Sequence, residues 1–177
     1  VILPGKRIAI TQQIMALSAD AQAFGEGAGL SAPLTTLVAS HPGLNAGHAG
    51  GHLAVELPLR KRWSADIGAG GDNLVELAAP VVADGHVFAV SASGEVSAVE
   101  IETGKLVWRV TIEEFEDDVI PGIAGGMAIS GSTVFVHGGG YNLAALSTKD
   151  GSVLWSQAFQ LPLRGGPTVY GKRALAV

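Results

Sequence analysis

The chain contains 177 residues, of which 25 are Gly, none is Cys and 47% are hydrophobic. This composition is typical of many short buried strands joined by tight turns, and the lack of Cys excludes disulfides and thiolate metal sites within the chain. The net charge of −5 disfavours nucleic-acid binding, because proteins of that class present a basic surface.

The first part of the chain contains no repeat, and we predict that residues 1–62 form an N-terminal extension and loop. Alternation over residues 7–11 suggests a strand there that could close a ring of later strands. Three histidines, His41, His48 and His52, follow in a stretch rich in Gly and Pro. A metal site would need a preformed geometry and a nearby carboxylate or thiolate. We therefore favour an irregular structural loop over a metal site.

Three tryptophans, Trp63, Trp108 and Trp155, recur at intervals of 45 and 47 positions (63 to 108 and 108 to 155), and the sequence around them also repeats. Each copy has an apolar run, a Gly-containing turn and a second apolar run, which predicts a β-hairpin. A β-sandwich has regular turns but does not repeat its sequence, so the pattern favours a β-propeller. The three hairpin copies are residues 78–90, 125–136 and 166–177.

Two further strands follow each of the first two hairpins. Residues 96–101 and 106–110 predict a third and a fourth strand, joined by a turn at 103–105. The second copy has the same order, with strands at 142–147 and 152–155. Four short antiparallel strands in a unit of about 45 residues are the signature of a propeller blade.

The sequence therefore predicts an all-β propeller of four-stranded antiparallel blades over residues 63–177. A ring needs at least about four blades, and a shorter array would leave strand edges and apolar faces open to water. We therefore expect the working molecule to be longer than this chain, which begins with Val1 and looks trimmed at its start. Two whole blades and part of a third fit, at approximately residues 74–110, 123–157 and 163–177.

The segments between strands carry no signal of catalysis. The acidic run 113–118 lacks the ligand spacing of a calcium loop, so a solvated loop is favoured over a cation site. The Gly-rich stretches 68–71 and 138–140 match no phosphate-binding motif and are predicted to be turns. No nucleophile-elbow motif occurs, and paired carboxylates occur only in the acidic run. The sequence thus predicts a protein that is not an enzyme and has no cofactor or metal.

Residues 98–108 resemble the quinoprotein-type, or PQQ-like, repeat, which reads roughly A-x-D-x-x-T-G-x-x-x-W. Residues 145–155 resemble it too, with Asp-Gly in place of Thr-Gly. In that family the Trp of one blade docks between neighbouring sheets, near the turn of the next blade, where a large flat ring fills the wedge between twisted sheets. The resemblance implies structural docking roles for five residues, Trp63, Trp108, Trp155, Gly104 and Gly151.

Two groups share this repeat, namely the quinone-dependent dehydrogenases and the BamB family of outer-membrane assembly lipoproteins. The opening at 3–10, the loop at 45–53 and the entry at 62–70 resemble the alphaproteobacterial members of the BamB family. The chain is therefore identified as part of a member of that family, although the lipid-bearing Cys of the family is not among its residues.

The resemblance implies a non-catalytic scaffold on the periplasmic side of the outer membrane, lipid-anchored at its N-terminus. It would bind the periplasmic domains of BamA, other subunits of the assembly machinery and unfolded outer-membrane proteins, and it would assist their insertion. The family's Leu-x-Leu-Arg-Gly contact loop matches residues 161–165, which makes Leu161, Leu163 and Arg164 the implied partner-binding residues. A connecting loop that merely caps the sheet edge is an equally open interpretation.

Two other functions fit the same repeat. A quinone (PQQ)-dependent dehydrogenase is the alternative, because further blades could hold the paired Cys, the calcium site and the cofactor-stacking Trp of such enzymes. A sensor ectodomain built on these repeats is a third possibility, which a membrane-spanning segment elsewhere in the gene would reveal.

Overall fold

The computed structural model describes residue 29 and residues 31–36, 38–70, 77–112 and 125–177. The chain divides into two compact units, Val1–Ser31 and Ala32–Val177, and the second is the one described below. The strand predicted at 7–11 and the acidic run at 113–118 lie outside the described residues.

Every helix or strand in the described part of the chain is a β-strand, which confirms the all-β prediction. The strands form three antiparallel sheets in which spatial order follows chain order. This is the arrangement of successive propeller blades. Sheet one contains β1 Val81–Ala83, β2 His86–Val90, β3 Glu95–Glu100 and β4 Leu106–Thr111. Sheet two contains β5 Gly126–Ser130, β6 Thr133–His137, β7 Asn142–Ser147 and β8 Val153–Ala158, and sheet three contains β9 Thr168–Tyr170 and β10 Arg173–Leu175.

The first hairpin shows why these residues fold locally as they do. Ala83 pairs with His86, so the loop between β1 and β2 is the dipeptide Asp84–Gly85. Both loop residues have positive φ, 50° and 73°, as a type I′ turn requires. Asp-Gly is a preferred sequence for this turn, whose twist matches that of the flanking strands.

Sheets one and two pack on one another through a shared apolar core. Phe88, Val96 and Trp108 of sheet one join Met127 and Leu146 of sheet two in one buried cluster. The first strands lie closest together, since β1 contacts β5 and β5 contacts β9, while no comparable contact joins β4 to β8. The described sheets therefore converge on their first strands, as blades do around a propeller axis.

A segment ahead of the blades crosses all three first strands, and we name residues 38–48 the strap. Ala39 pairs with Val82 of β1, and the carbonyl oxygen of Ser40 accepts a hydrogen bond from the Ile129 amide of β5 at 2.8 Å. The His41 ring lies against β9. The strap belongs to the predicted N-terminal extension, yet it is hydrogen-bonded to all three sheets.

No helix among the described residues is long and apolar enough to cross a membrane.

The core position of Leu146 allows a test of the sheet packing. Leu146 on β7 is fully buried between the sheets, whereas Leu154 on the adjacent strand β8 is exposed. We expect Leu146→Ala to lower the free energy of unfolding by about 2–5 kcal/mol, because it removes buried methyl groups and leaves a cavity. Leu154→Ala should cost less than about 1 kcal/mol. Urea denaturation measures both, and equal losses would contradict the described packing.

Candidate functional site

Trp108 forms the junction between the first two sheets. It lies on β4 directly after a β-bulge, because Ala98 pairs with Trp108 while Val99 pairs with Leu106. The side chain is 8% exposed, and its indole N–H donates to the carbonyl oxygen of Thr148, at 2.9 Å, in the turn after β7. A buried indole is most stable when its N–H has such an acceptor, so the contact fixes β4 against sheet two.

The indole of Trp108 lies on Gly151, where a side chain would not fit. A Cβ built on Gly151 would lie 2.7 Å from Cε3 of Trp108, and the backbone there has a φ of +73°. Both facts favour Gly, which has no Cβ and adopts positive φ without steric cost. The Asp-Gly turn after β7 is thus shaped to receive the ring.

Trp63 repeats this geometry one sheet earlier. Its indole N–H donates to the carbonyl oxygen of Ile101 at 2.8 Å. Its ring lies on Gly104, which has a φ of +71° and whose Cβ would lie 2.7 Å from the ring. Arg62 beside it forms an ion pair with Glu102. The segment around Trp63 therefore occupies, relative to sheet one, the place that β4 occupies relative to sheet two.

Trp155 does not make the corresponding contact within the described residues, and its docking role stays a prediction. It lies on β8, again after a bulge, and its ring packs against Phe135 of the same sheet at a centroid distance of 5.9 Å. It is 41% exposed. The physical reason is that the described part of sheet three consists of β9 and β10, so no glycine turn after a third strand lies opposite the ring among the described residues.

The predicted contact loop, residues 161–165, splits into two kinds of residue. Leu161 and Arg164 are exposed, but Leu163 is only 4% exposed, and its amide donates to the carbonyl oxygen of Gly140 at 2.9 Å. Leu163 therefore anchors the loop and is not an exposed contact residue in this structure. The exposed side of the loop borders an open depression of about 680 Å³, lined in part by Phe159, Leu161, Pro162, Arg164 and Val177.

The tetrapeptide Leu-Pro-Leu-Arg of this loop occurs twice in the chain, at residues 57–60 and 161–164. In the first copy Leu59 is 77% exposed, whereas its counterpart Leu163 is buried. Identical residues thus have different environments, because burial depends on what packs against each copy. The motif alone does not identify a contact surface.

The strap histidines take structural positions. His41 is buried, its ring lies 6.2 Å from that of His48 in an edge-to-face arrangement, and His48 Nε2 lies 3.1 Å from the Thr168 hydroxyl of β9. Burial lowers the pKa of His41 below its ordinary value of 6.5, and the neighbouring His48 lowers it further. In the described part of the chain, no three His, Asp or Glu side chains are grouped so as to hold a metal.

His137, which is not among the residues predicted from the sequence, is fully buried at the end of β6. Its Nε2 lies 2.9 Å from the carbonyl oxygen of Gly165, and the Gly139 amide donates to its Nδ1 at 3.3 Å. Burial lowers the pKa of His137, although the hydrogen bond to Gly165 acts in the opposite direction. The one sequence signal for a buried histidine here is a lone polar residue at the end of an apolar strand.

The Gly-rich stretch 138–140 forms the predicted connection between β6 and β7.

Consecutive four-stranded sheets joined by tryptophan and glycine define a run of β-propeller blades of the PQQ-like repeat class. The quinohemoprotein alcohol dehydrogenase from Comamonas testosteroni has the same fold over 80% of this chain and 23% of its own, with a TM-score of 0.63 and 20% identity. At that identity the likeness concerns the fold alone.

The family model described as "Outer membrane protein assembly factor BamB" matches residues 51–121 and 92–177, and the chain belongs to that family. BamB of Escherichia coli strain K12 is 32% identical over 96 residues, covering 52% of this chain and 24% of that protein. BamB of Shewanella oneidensis is 34% identical over 113 residues, covering 60% and 29%. The chain thus spans only about a quarter of the length of these relatives. The narrower alphaproteobacterial resemblance finds no support in these matches and stays a prediction.

Because Trp108 docks on Gly151, adding a single methyl group there should lower the free energy of unfolding substantially. In Gly151→Ala the left-handed backbone costs about 1–2 kcal/mol, and the clash with the ring costs about 1–3 kcal/mol more. Gly131→Ala is the matched control, because Gly131 has a φ of +56° and open space around its Cβ position. Urea denaturation should show the larger loss for Gly151→Ala, and equal losses would mean that the ring does not rest on this turn.

Proposed function

We propose that this chain is part of a non-catalytic scaffold of the β-barrel assembly machinery. The protein containing it binds the periplasmic domains of BamA, associates with other subunits and assists the insertion of outer-membrane proteins. It works on the periplasmic side of the outer membrane, held there by an N-terminal lipid. The observation that carries the proposal is the family match across the blades, residues 51–177.

The junction geometry supports a positioning role. Two indoles, Trp63 and Trp108, are each fixed by a hydrogen bond and by contact with a glycine turn. Sheets joined in this way hold their connecting loops in fixed relative positions, and a rigid framework that carries variable loops is a common design of binding proteins.

Within the contact loop we propose Leu161 and Arg164 as the residues that touch BamA, with Leu163 holding the loop in place. Leu161 offers an exposed apolar side chain beside the open depression, and Arg164 offers a cation with five hydrogen-bond donors. Arg is among the residues that most often contribute strongly to protein interfaces.

The duplicated tetrapeptide supplies a matched control for this assignment. Leu161→Ala with Arg164→Ala should weaken capture of the BamA periplasmic domains at least about tenfold, a typical loss when an interface anchor is truncated. Leu57→Ala with Arg60→Ala makes the same change in the other copy, where both residues are also exposed, and should leave capture unchanged. Binding is measured by surface plasmon resonance with the protein containing this chain. Equal effects of the two pairs would remove the loop from the interface.

A dehydrogenase is the alternative, and the fold it shares with quinohemoprotein enzymes is the observation in its favour. The strap weighs against it, because residues 38–48 cross the first strands, at the edge nearest the axis, where the resemblance implies that such enzymes stack their cofactor. Added PQQ and calcium should therefore give neither a cofactor absorbance band that co-purifies with the protein nor alcohol-dependent dye reduction. Appearance of both would favour the enzyme over the scaffold.

A further inference from the structure

Sheet three is tied to the rest of the molecule through the rings of two buried histidines. The Val169 amide of β9 donates to Nε2 of His41, at 2.9 Å, across 128 positions of sequence. A ring nitrogen that accepts an N–H carries no proton. Nδ1 of His41 therefore carries the proton, which the hydroxyl oxygen of Ser40 accepts at 2.9 Å. The contact requires the neutral form of His41.

His137 makes the second tie with the opposite tautomer. Its Nδ1 accepts from the Gly139 amide, so its Nε2 carries the proton and donates to the carbonyl oxygen of Gly165, just ahead of β9. The packing here is tight, since a Cβ on Gly126 would lie 2.3 Å from Cα of Gly166 and 2.7 Å from Nε2 of His137. This histidine too must be neutral.

We propose that His41 and His137 form an acid-sensitive clasp that holds the β9–β10 hairpin against sheet two and the strap. Protonation of His41 places an N–H against the N–H of Val169, and protonation of His137 places one against the N–H of Gly139. Both rings are buried, so water cannot supply the acceptors that these amides lose. An unsatisfied buried donor is costly, and the hairpin opens.

The surroundings of the two rings set the direction of the pH response. Among the described residues, the titratable group that faces His41 is His48 of the same strap, and the hydrogen-bond partners of His41, Ser40 and Val169, are uncharged. Within the residues that the structure describes, the ring of His137 is hydrogen-bonded to the backbone of Gly139 and Gly165. It also packs closely against Gly126. The neighbouring His48 disfavours the charged form of His41, in the same direction as burial does.

The two pKa values are lowered in the folded protein, so the unfolded chain binds protons first. Stability from the clasp is therefore fully present above the ordinary histidine pKa of 6.5. It is lost as the pH falls below that value through the lowered folded values.

Amide hydrogen exchange at Val169 tests the clasp. The protection factor of the Val169 amide is divided by that of Val134, which lies in the interior of sheet two. In this ratio the pH dependence of the exchange chemistry and of global stability cancels. Between about pH 7.5 and about pH 5 the ratio should fall, by up to about tenfold per histidine for each pH unit below 6.5, since one extra proton bound by the open state changes its population by that factor. In His41→Gln with His137→Gln the ratio should stay flat, because Gln offers similar hydrogen bonds and does not titrate.

His86→Gln is the matched control, because His86 packs on Phe88 within sheet one, and it should behave as the wild type does. A wild-type ratio that does not change with pH, or a double variant with the wild-type slope, would overturn the clasp. If the double variant fails to fold, imidazole nitrogen shifts of the wild type decide. Nε2 must be unprotonated in His41 and protonated in His137 at neutral pH, and any other pair of tautomers refutes the proposal.

Discussion

The contact between an indole and a glycine turn is the constraint on which the arrangement of the sheets depends. Twisted four-stranded sheets diverge away from their first strands, and the space between them must be filled by something large and flat. Trp108 fills it between the first two sheets, and its N–H prevents the turn at Thr148 from leaving an unsatisfied carbonyl group. Trp63 does the same one step earlier. Each ring needs a glycine beneath it, which explains why the Trp and Gly positions recur together.

Much of this architecture could be predicted from the sequence because the repeat records it directly. The alternation of apolar residues indicates the strands, and Asp84–Gly85 indicates the first turn. The tryptophan spacing indicates the blades, and the two glycines of the junctions stand at the same position in each repeat. These signals are local or periodic, so a single chain is enough to read them. The bulge that precedes Trp108 and Trp155 gives no such signal, since it is a property of how two strands pair.

The environment of individual site residues could not be predicted in the same way. Leu163 and Leu59 share an identical tetrapeptide, yet one is buried and the other is exposed, because only tertiary packing distinguishes them. Trp155 carries the repeat signature of a docked residue, but docking needs a partner turn as well as a ring. The strap had no periodicity to read, and its bonds to β1, β5 and β9 join positions far apart in the chain. Long-range contacts of this kind leave little trace in a single sequence.

The distance along the chain between His41 and Val169 also has a consequence for the order of assembly. Local hairpins such as β1–β2 close short loops and form early, whereas a contact across 128 positions must await the sheets that bring its ends together. On the ribosome the strap emerges before every strand it will join, and β9 emerges after the first two sheets. Until then the strap has no complete binding surface. Its docking is therefore a late folding event, and it reports that all three sheets have reached their native register.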